Sequence, residues 1–321
     1  MKKLISVFFV MCALLLASCS GDTSPDAAAT PIVPDPPTEE ARTRPTVDRE
    51  GFAITLPDEI DTIISIGPVI TEVLVALELS DKIIAADRFS DDVVGLAEGI
   101  AVLDMMAIDA EYLIELSPDI ILVTGMTRTS EDDDPMHMVS NAGITVVYVP
   151  VSVSIDAIVE DIRFIAQVMD LHEAGEAIIS DMQADLDAIR EIAATITAAR
   201  TVYFEVSPAP TMWSLGANTF INEMIELVGA INIFADEDGW ISVADETLLE
   251  VNPDVIITSI DFLDDPVSEI MDRPGWGAIA AVQNGDVFQV SANYTSRANH
   301  NIVRGLWEIA IAVYPDYFNE N

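Results

Sequence analysis

Two stretches of the chain decide its fold: Glu111–Leu122, reading EYLIELSPDIIL, and Glu246–Ile257, reading ETLLEVNPDVII. They align without gaps, matching acid, apolar and Pro-Asp positions. In each, a short amphipathic helix passes through a Pro-Asp turn into a continuous apolar strand. Such strands, buried on both faces, belong to parallel sheets covered by helices. Thr71-Glu-Val-Leu and Asn222-Glu-Met-Ile form a second corresponding pair. The chain therefore reads as two versions of one α/β architecture.

Working outward, the first version has strands at 62–66, 82–86, 119–123 and 144–149, with helices at 70–79 and 111–116. The second has strands at 201–205, 254–257 and 286–290, a helix at 218–228 and a last helix at 301–313. Between them, residues 154–199 contain no proline and one glycine, Gly175. Ile178, Met182, Leu186, Ile189, Ala193 and Ile196 form one helical stripe there. The spacing predicts a helix ending near Asp170, then a long one from His172 to Ala198 that would extend about 40 Å. The expected fold class is α/β, with two pseudo-symmetric lobes of mostly parallel sheet joined by one long bracing helix. The expected boundaries are 47–170 for the N-terminal lobe, 171–199 for the interlobe helix and 200–321 for the C-terminal lobe.

The N-terminal end reads differently. Lys2 and Lys3 precede an apolar run to Ala17, then Leu16-Ala17-Ser18-Cys19, the pattern of a secretory signal over 1–18. The run would reach about 21 Å, short of the ~30 Å of a bilayer core. Leu-Ala-Ser-Cys resembles the lipobox of bacterial lipoproteins, in which Cys19 is lipidated and becomes the new N-terminus. Residues 19–46 carry Pro25, Pro31, Pro34, Pro36, Pro37 and Pro45 without hydrophobic periodicity, as a tether would.

The chain has 321 residues, 50% of them apolar, which excludes a disordered protein. Its 14 basic residues against 55 acidic ones give a formal charge of −41, which opposes attraction to nucleic acid. Loss of Lys2 and Lys3 with the signal would lower the basic count to 12 and the charge to −43.

Parallel sheets offer ligand crevices beyond the carboxyl ends of their strands, so two facing lobes place the site in the cleft between them. Aromatic residues near strand ends are the candidates: Phe89, Trp213 in the loop 207–216, Trp240 in an acidic loop, and Tyr294 with Arg297 after the last strand. Glu111 and Glu246 follow possible caps, Asp109 and Ser242 or Asp245, and a local role at the helix dipole is available to each. As a matched pair they suit docking onto a two-fold partner that presents arginines.

Over residues 47–318 the sequence resembles the helical-hinge substrate-binding proteins of ABC importers for iron-siderophores, haem or cobalamin. The matching stretches are 63–74, 109–119, 242–254 and 281–287, in that order. The resemblance implies that Glu111 and Glu246 dock the permease, and that Phe89, Trp213, Trp240 and Arg297 line the cleft. Met105 stands where cobalamin-binding members have a tryptophan, and a methionine there could ligate haem iron opposite His300. Cleft cations are few (Arg88, Arg128 and Arg297), which favours a neutral, zwitterionic or weakly charged metal chelate.

The expected protein is thus a monomeric lipoprotein outside the cytoplasm, anchored to the bacterial membrane through its N-terminal lipid. It would need no cofactor and would deliver a small-molecule metal chelate to a permease and its ATPase. Two alternatives are an extracytoplasmic enzyme and a bare Zn or Mn binding lipoprotein. The first lacks a nucleotide, metalloprotease or Cys-x-x-Cys motif. The second needs converging ligands, and His137, His172 and His300 are widely separated in sequence.

Overall fold

The computed structural model describes residues 43–128 and 134–318. The signal segment, Cys19 and nearly all of the tether lie outside the described residues. The first lobe contains β1 (Ile63–Ile66), β2 (Ile83–Asp87), β3 (Ala101–Leu103), β4 (Ile120–Thr124) and β5 (Thr145–Val149). All neighbours are parallel, in the order β3-β2-β1-β4-β5. The second lobe contains β6 (Thr201–Glu205), β7 (Met212–Leu215), β8 (Ile231–Asn232), β9 (Trp240–Val243), β10 (Val255–Thr258) and β11 (Val287–Gln289). Strands β11-β10-β6-β8 form a parallel sheet, while β7 and β9 pair as a separate antiparallel ribbon. Sequence reasoning foresaw neither β3, β8 nor the ribbon.

Helices α1 (Pro68–Ala76), α2 (Ala110–Leu116), α3 (Pro135–Asn141) and α4 (Ile155–Val168) belong to the first half. Then come α5 (His172–Ala193), α6 (Phe220–Leu227), α7 (Asp245–Val251), α8 (Pro266–Met271), α9 (Ala280–Asn284), α10 (Ala292–Ser296) and α11 (Ile302–Val313). The helices sort into layers. Residues of α1, α4, α5, α6 and α11 share one apolar core with one face of each sheet, including Ile63, Leu122, Val202 and Ile257. The other face of the first sheet packs on α2 and α3, and that of the second on α7, α8 and α9.

The repeated Pro-Asp turns show how the sequence sets this up twice. Helices α2 and α7 each end in a left-handed residue, Ser117 (φ 50°) and Asn252 (φ 53°). The following aspartate then grips the start of its lobe's first strand. Asp119 Oδ2 accepts from the Thr62 amide and hydroxyl at 2.8 and 2.9 Å, and Asp254 Oδ2 accepts from the Thr201 amide and hydroxyl at 2.8 and 2.9 Å. The Asp61 amide donates to Asp119 Oδ2 as well, at 2.8 Å, and together with the Thr62 bonds it holds the Asp119 carboxyl below its ordinary range.

The bracing helix α5 is shorter than expected. It stops at Ala193 rather than Ala198, spanning about 33 Å. Beyond it, the Thr195 hydroxyl donates to the Ile192 carbonyl at 2.7 Å, and a Cβ added at Gly229 would stand 3.5 Å from both the Ala193 carbonyl and the Ile196 side chain. A side chain competing for the backbone and packing from the second lobe turn the chain into β6. At its other end, a Cβ on Gly175 would stand 2.3 Å from the Ala166 Cβ, so only glycine lets α5 cross α4 this closely. Near the point where the tether enters, Arg44 Nη2 donates to the Val168 carbonyl at 2.7 Å, and Nη1 donates to the Pro57 carbonyl.

Candidate functional site

The loops beyond the carboxyl ends of the strands carry exposed apolar side chains in both lobes. After β2, buried Asp87 accepts hydrogen bonds from the Gly67 amide (2.7 Å), the Phe89 amide (2.9 Å) and the Ser90 hydroxyl (2.9 Å). Gly67, at φ 125°, brings the β1–α1 turn within reach. This net holds Phe89 half-exposed, with the Arg88 guanidinium 4.9 Å from its ring centre. Sequence reasoning missed three companions: Met106, Met126 and Phe262, which follow β3, β4 and β10 and are about 70% exposed, at 73%, 69% and 70%. Their signal was position alone, a large apolar residue two to four places beyond a strand.

Trp213 and Trp240 are not loop residues but members of the ribbon. Trp213 pairs with Ser242 and Leu215 with Trp240, so the two tryptophans are diagonal neighbours on one face, within reach of each other. They are 36% and 68% exposed. Beneath the ribbon, Arg273 clasps the fully buried Glu205 with two bonds of 2.6 and 2.7 Å and donates to Met212 Sδ at 3.3 Å. It also bonds Glu269 and stacks 4.5 Å from the Trp276 ring centre. Burial pushes the Glu205 carboxyl up, and the guanidinium opposes that push.

Arg297 does not stand free in the cleft. Nη1 donates to Glu72 Oε1 at 2.7 Å, and Nη2 to Asp92 Oδ1 at 2.8 Å and to the Phe89 carbonyl at 3.0 Å. Glu72 Oε2 also accepts from Asn299 and Asn301, at 2.8 and 2.6 Å, and Asn293 donates to Asp92. Burial works against Asp92, but the bonds from Arg297 and Asn293 bring its carboxyl below the ordinary range. Every one of these bonds joins the first lobe to the second. They border a groove of about 390 Å³, into which Tyr294, His300 and Arg304 also project. Tyr294 is occupied by Arg304, which donates to its hydroxyl at 3.1 Å.

Met105 and His300 are not brought together. Met105 is buried among Ile66, Leu103 and Leu113, beside a small pocket of about 100 Å³ within the first lobe. His300 lines the groove at the seam, where burial pushes its imidazole down and leaves Nδ1 without a hydrogen-bond partner. An apolar core claims the methionine, so the paired axial ligation suggested by the sequence has no support in the geometry. Among the described residues no group of three or more His, Cys, Asp or Glu side chains could hold a metal ion.

Glu111 and Glu246 are both exposed, each the second residue of its helix, α2 or α7. Asp109 caps α2 as expected, accepting from the Tyr112 amide at 3.1 Å. Helix α7 has Ala244 at the cap position and no side-chain cap, because Asp245 instead accepts from Trp276 Nε1 at 2.9 Å. Both glutamates lie in the first turn of their helix, where the dipole favours an acid, and only α2 has a side-chain cap beside it. Phe89, Trp213 and Trp240 thus remain candidate cargo contacts, and Glu111 and Glu246 candidate docking residues.

A family model described as periplasmic binding protein matches residues 63–294. An uncharacterized ABC transporter substrate-binding lipoprotein, YvrC of Bacillus subtilis, is 30% identical over 85% of this chain and 86% of its own length. A cobalamin-binding protein of Halobacterium salinarum is 24% identical over 90% of this chain and 80% of its own. A solved structure of a possible iron-binding periplasmic solute-binding protein from Staphylococcus epidermidis superposes with a TM-score of 0.72 at 28% identity, covering 80% of this chain and 100% of that one.

Proposed function

Because this chain belongs to the periplasmic binding protein family, we propose that it captures a metal chelate in the interlobe cleft and delivers it to an ABC permease. The coarse assignment is to the substrate-binding proteins of ABC transporters of the siderophore, haem and vitamin B12 type. The finer reading is supported above all by the exposed apolar side chains on the strand-end loops and on the β7–β9 ribbon. Phe89, Met106, Met126, Trp213, Trp240 and Phe262 offer a broad apolar surface, suited to a large ligand with extended faces.

Charge narrows the cargo class. Of the eleven described Lys and Arg side chains, nine stand in ion pairs. Arg88 pairs with Asp104 at 3.0 Å, Arg128 with Glu50 at 3.4 Å, and Arg297 with Glu72 and Asp92 at 2.7 and 2.8 Å. The three cations foreseen for the cleft are therefore already neutralised. A polyanionic ferric complex would meet net negative potential, so a neutral or weakly charged chelate is the proposed cargo. The proposed protein is monomeric, carries a lipid on Cys19, and presents Glu111 and Glu246 to permease arginines.

Titration of cyanocobalamin, haemin and a neutral ferric hydroxamate, followed by tryptophan quenching and absorbance, tests the cargo. Trp213→Ala and Trp240→Ala should each weaken binding of the accepted chelate by roughly 30-fold, as for a buried aromatic anchor. Glu111→Ala and Glu246→Ala should leave that affinity unchanged and reduce uptake. Wild-type affinity in both tryptophan variants would remove the cleft assignment; lost affinity in the glutamate variants would remove the docking assignment.

A further inference from the structure

Among the described residues, side-chain hydrogen bonds cross the seam between the lobes at two places, and the two crossings are related by the internal repeat. Glu72 on α1 and Glu223 on α6 occupy matching positions of the Thr71-Glu and Asn222-Glu stretches. Each reaches the beginning of the last helix of the opposite lobe. Glu72 accepts from Asn299 and Asn301 just ahead of α11, and Glu223 Oε2 accepts from the Ile155 amide, at the start of α4, at 2.7 Å. Each borders a groove, of about 390 Å³ at Glu72 and about 380 Å³ at Glu223.

The crossings differ in strength. At Glu223 one carboxylate oxygen meets one helix-end amide. At Glu72 a nearly buried carboxylate, a nearly buried guanidinium, Asp92 and three asparagines form a closed net. Its side chains are 9% exposed at Glu72 and 11% at Arg297. The net also holds the Phe89 carbonyl, tying the seam to a loop of the candidate cleft.

We propose that Glu72, Asp92 and Arg297 are positioning residues that fix the spacing of the lobes, and with it the width of the cleft, while Glu223 serves as the pivot. Arg297 acts through the Phe89 and 293–301 loops and makes no contact with cargo. The binding-protein reading gives this spacing its use, but the spacing itself is measurable without any cargo.

Nitroxide labels on Glu115→Cys in α2 and Glu250→Cys in α7, exposed sites on opposite lobes, would report the interlobe distance in the full chain with Cys12 and Cys19 changed to serine. The intact net should give one narrow distribution. Glu72→Ala and Arg297→Ala should widen it and lengthen its mean by more than about 2 Å, the amplitude that separates domain rearrangement from side-chain adjustment. Glu72→Gln and Arg297→Lys, each retaining part of the net, should fall between, and they serve as the readout if an alanine variant does not fold. Arg49→Ala breaks the Arg49–Asp161 pair (2.8 Å) inside one half and should leave the distance unchanged. An unaltered distribution in the folded Glu72 and Arg297 variants, or equal widening in Arg49→Ala, would overturn the proposal. Because no chelate is present, neither result bears on the cargo.

Discussion

The Glu72 and Glu223 crossings occupy matching positions of the internal repeat yet have opposite electrostatic designs. At Glu72 the carboxylate is given a charge partner, and Asp92 joins it. At Glu223 burial pushes the carboxyl up, with only the Ile155 amide favouring the charged form. A buried acid with a cation is costly to disturb; one meeting an amide alone is cheap to neutralise. The same position in one architecture can thus be a lock or a joint, depending on what the other lobe supplies.

The largest effect should come from breaking the lock. Arg297→Met leaves Glu72 nearly buried without its cation and should cost about 3 kcal/mol of unfolding free energy, measured in denaturant. Next, the two crossings should respond to pH with opposite signs. Asp92 lies below its unfolded value, so its contribution is present above about pH 4 and is lost as pH falls through its folded pKa. Glu223 lies above its unfolded value, so its contribution is present in acid and is lost as pH rises through its folded pKa. Acid titration of wild type against Asp92→Asn and Glu223→Gln should separate the two slopes. The Asp92 share should also shrink in salt, because that side chain is 45% exposed. The smallest effect belongs to Glu223→Gln at neutral pH, within about 1 kcal/mol of wild type, since a carboxamide oxygen can still accept from Ile155.

Much of this was legible in the chain. The Pro-Asp repeats announced the duplicated lobes, and Asp119 and Asp254 proved to hold the strands through the same pair of bonds. The pairing of Glu111 with Glu246 came from that repeat too. The Thr71-Glu and Asn222-Glu repeat was equally visible, but a repeat shows which positions correspond and not what faces them. Arg297 was therefore read as a cleft residue without sight of its partners, which lie 225 and 205 positions away. The ribbon escaped because β7 is only four residues long and follows Pro208 and Pro210, which read as loop. Met126 and Phe262 escaped because a single apolar side chain carries no period. Met105, read as a candidate iron ligand, is the reverse case, a side chain whose burial only the packing of the first lobe reveals.

Arg44 fastens the entering chain to Val168, at the end of α4. That helix follows β5 and runs back along the sheet, so the fastening lies at the edge where strands begin, opposite the edge that carries Phe89. Whatever holds the N-terminus pulls on the tail of the molecule, not its mouth. Under the proposed arrangement, with the lipid and the permease in one bilayer, the distance to be covered from anchor to mouth is the full height of the body. With the proposed lipid on Cys19, the 25 residues from Cys19 to Thr43 reach about 80 Å when fully extended.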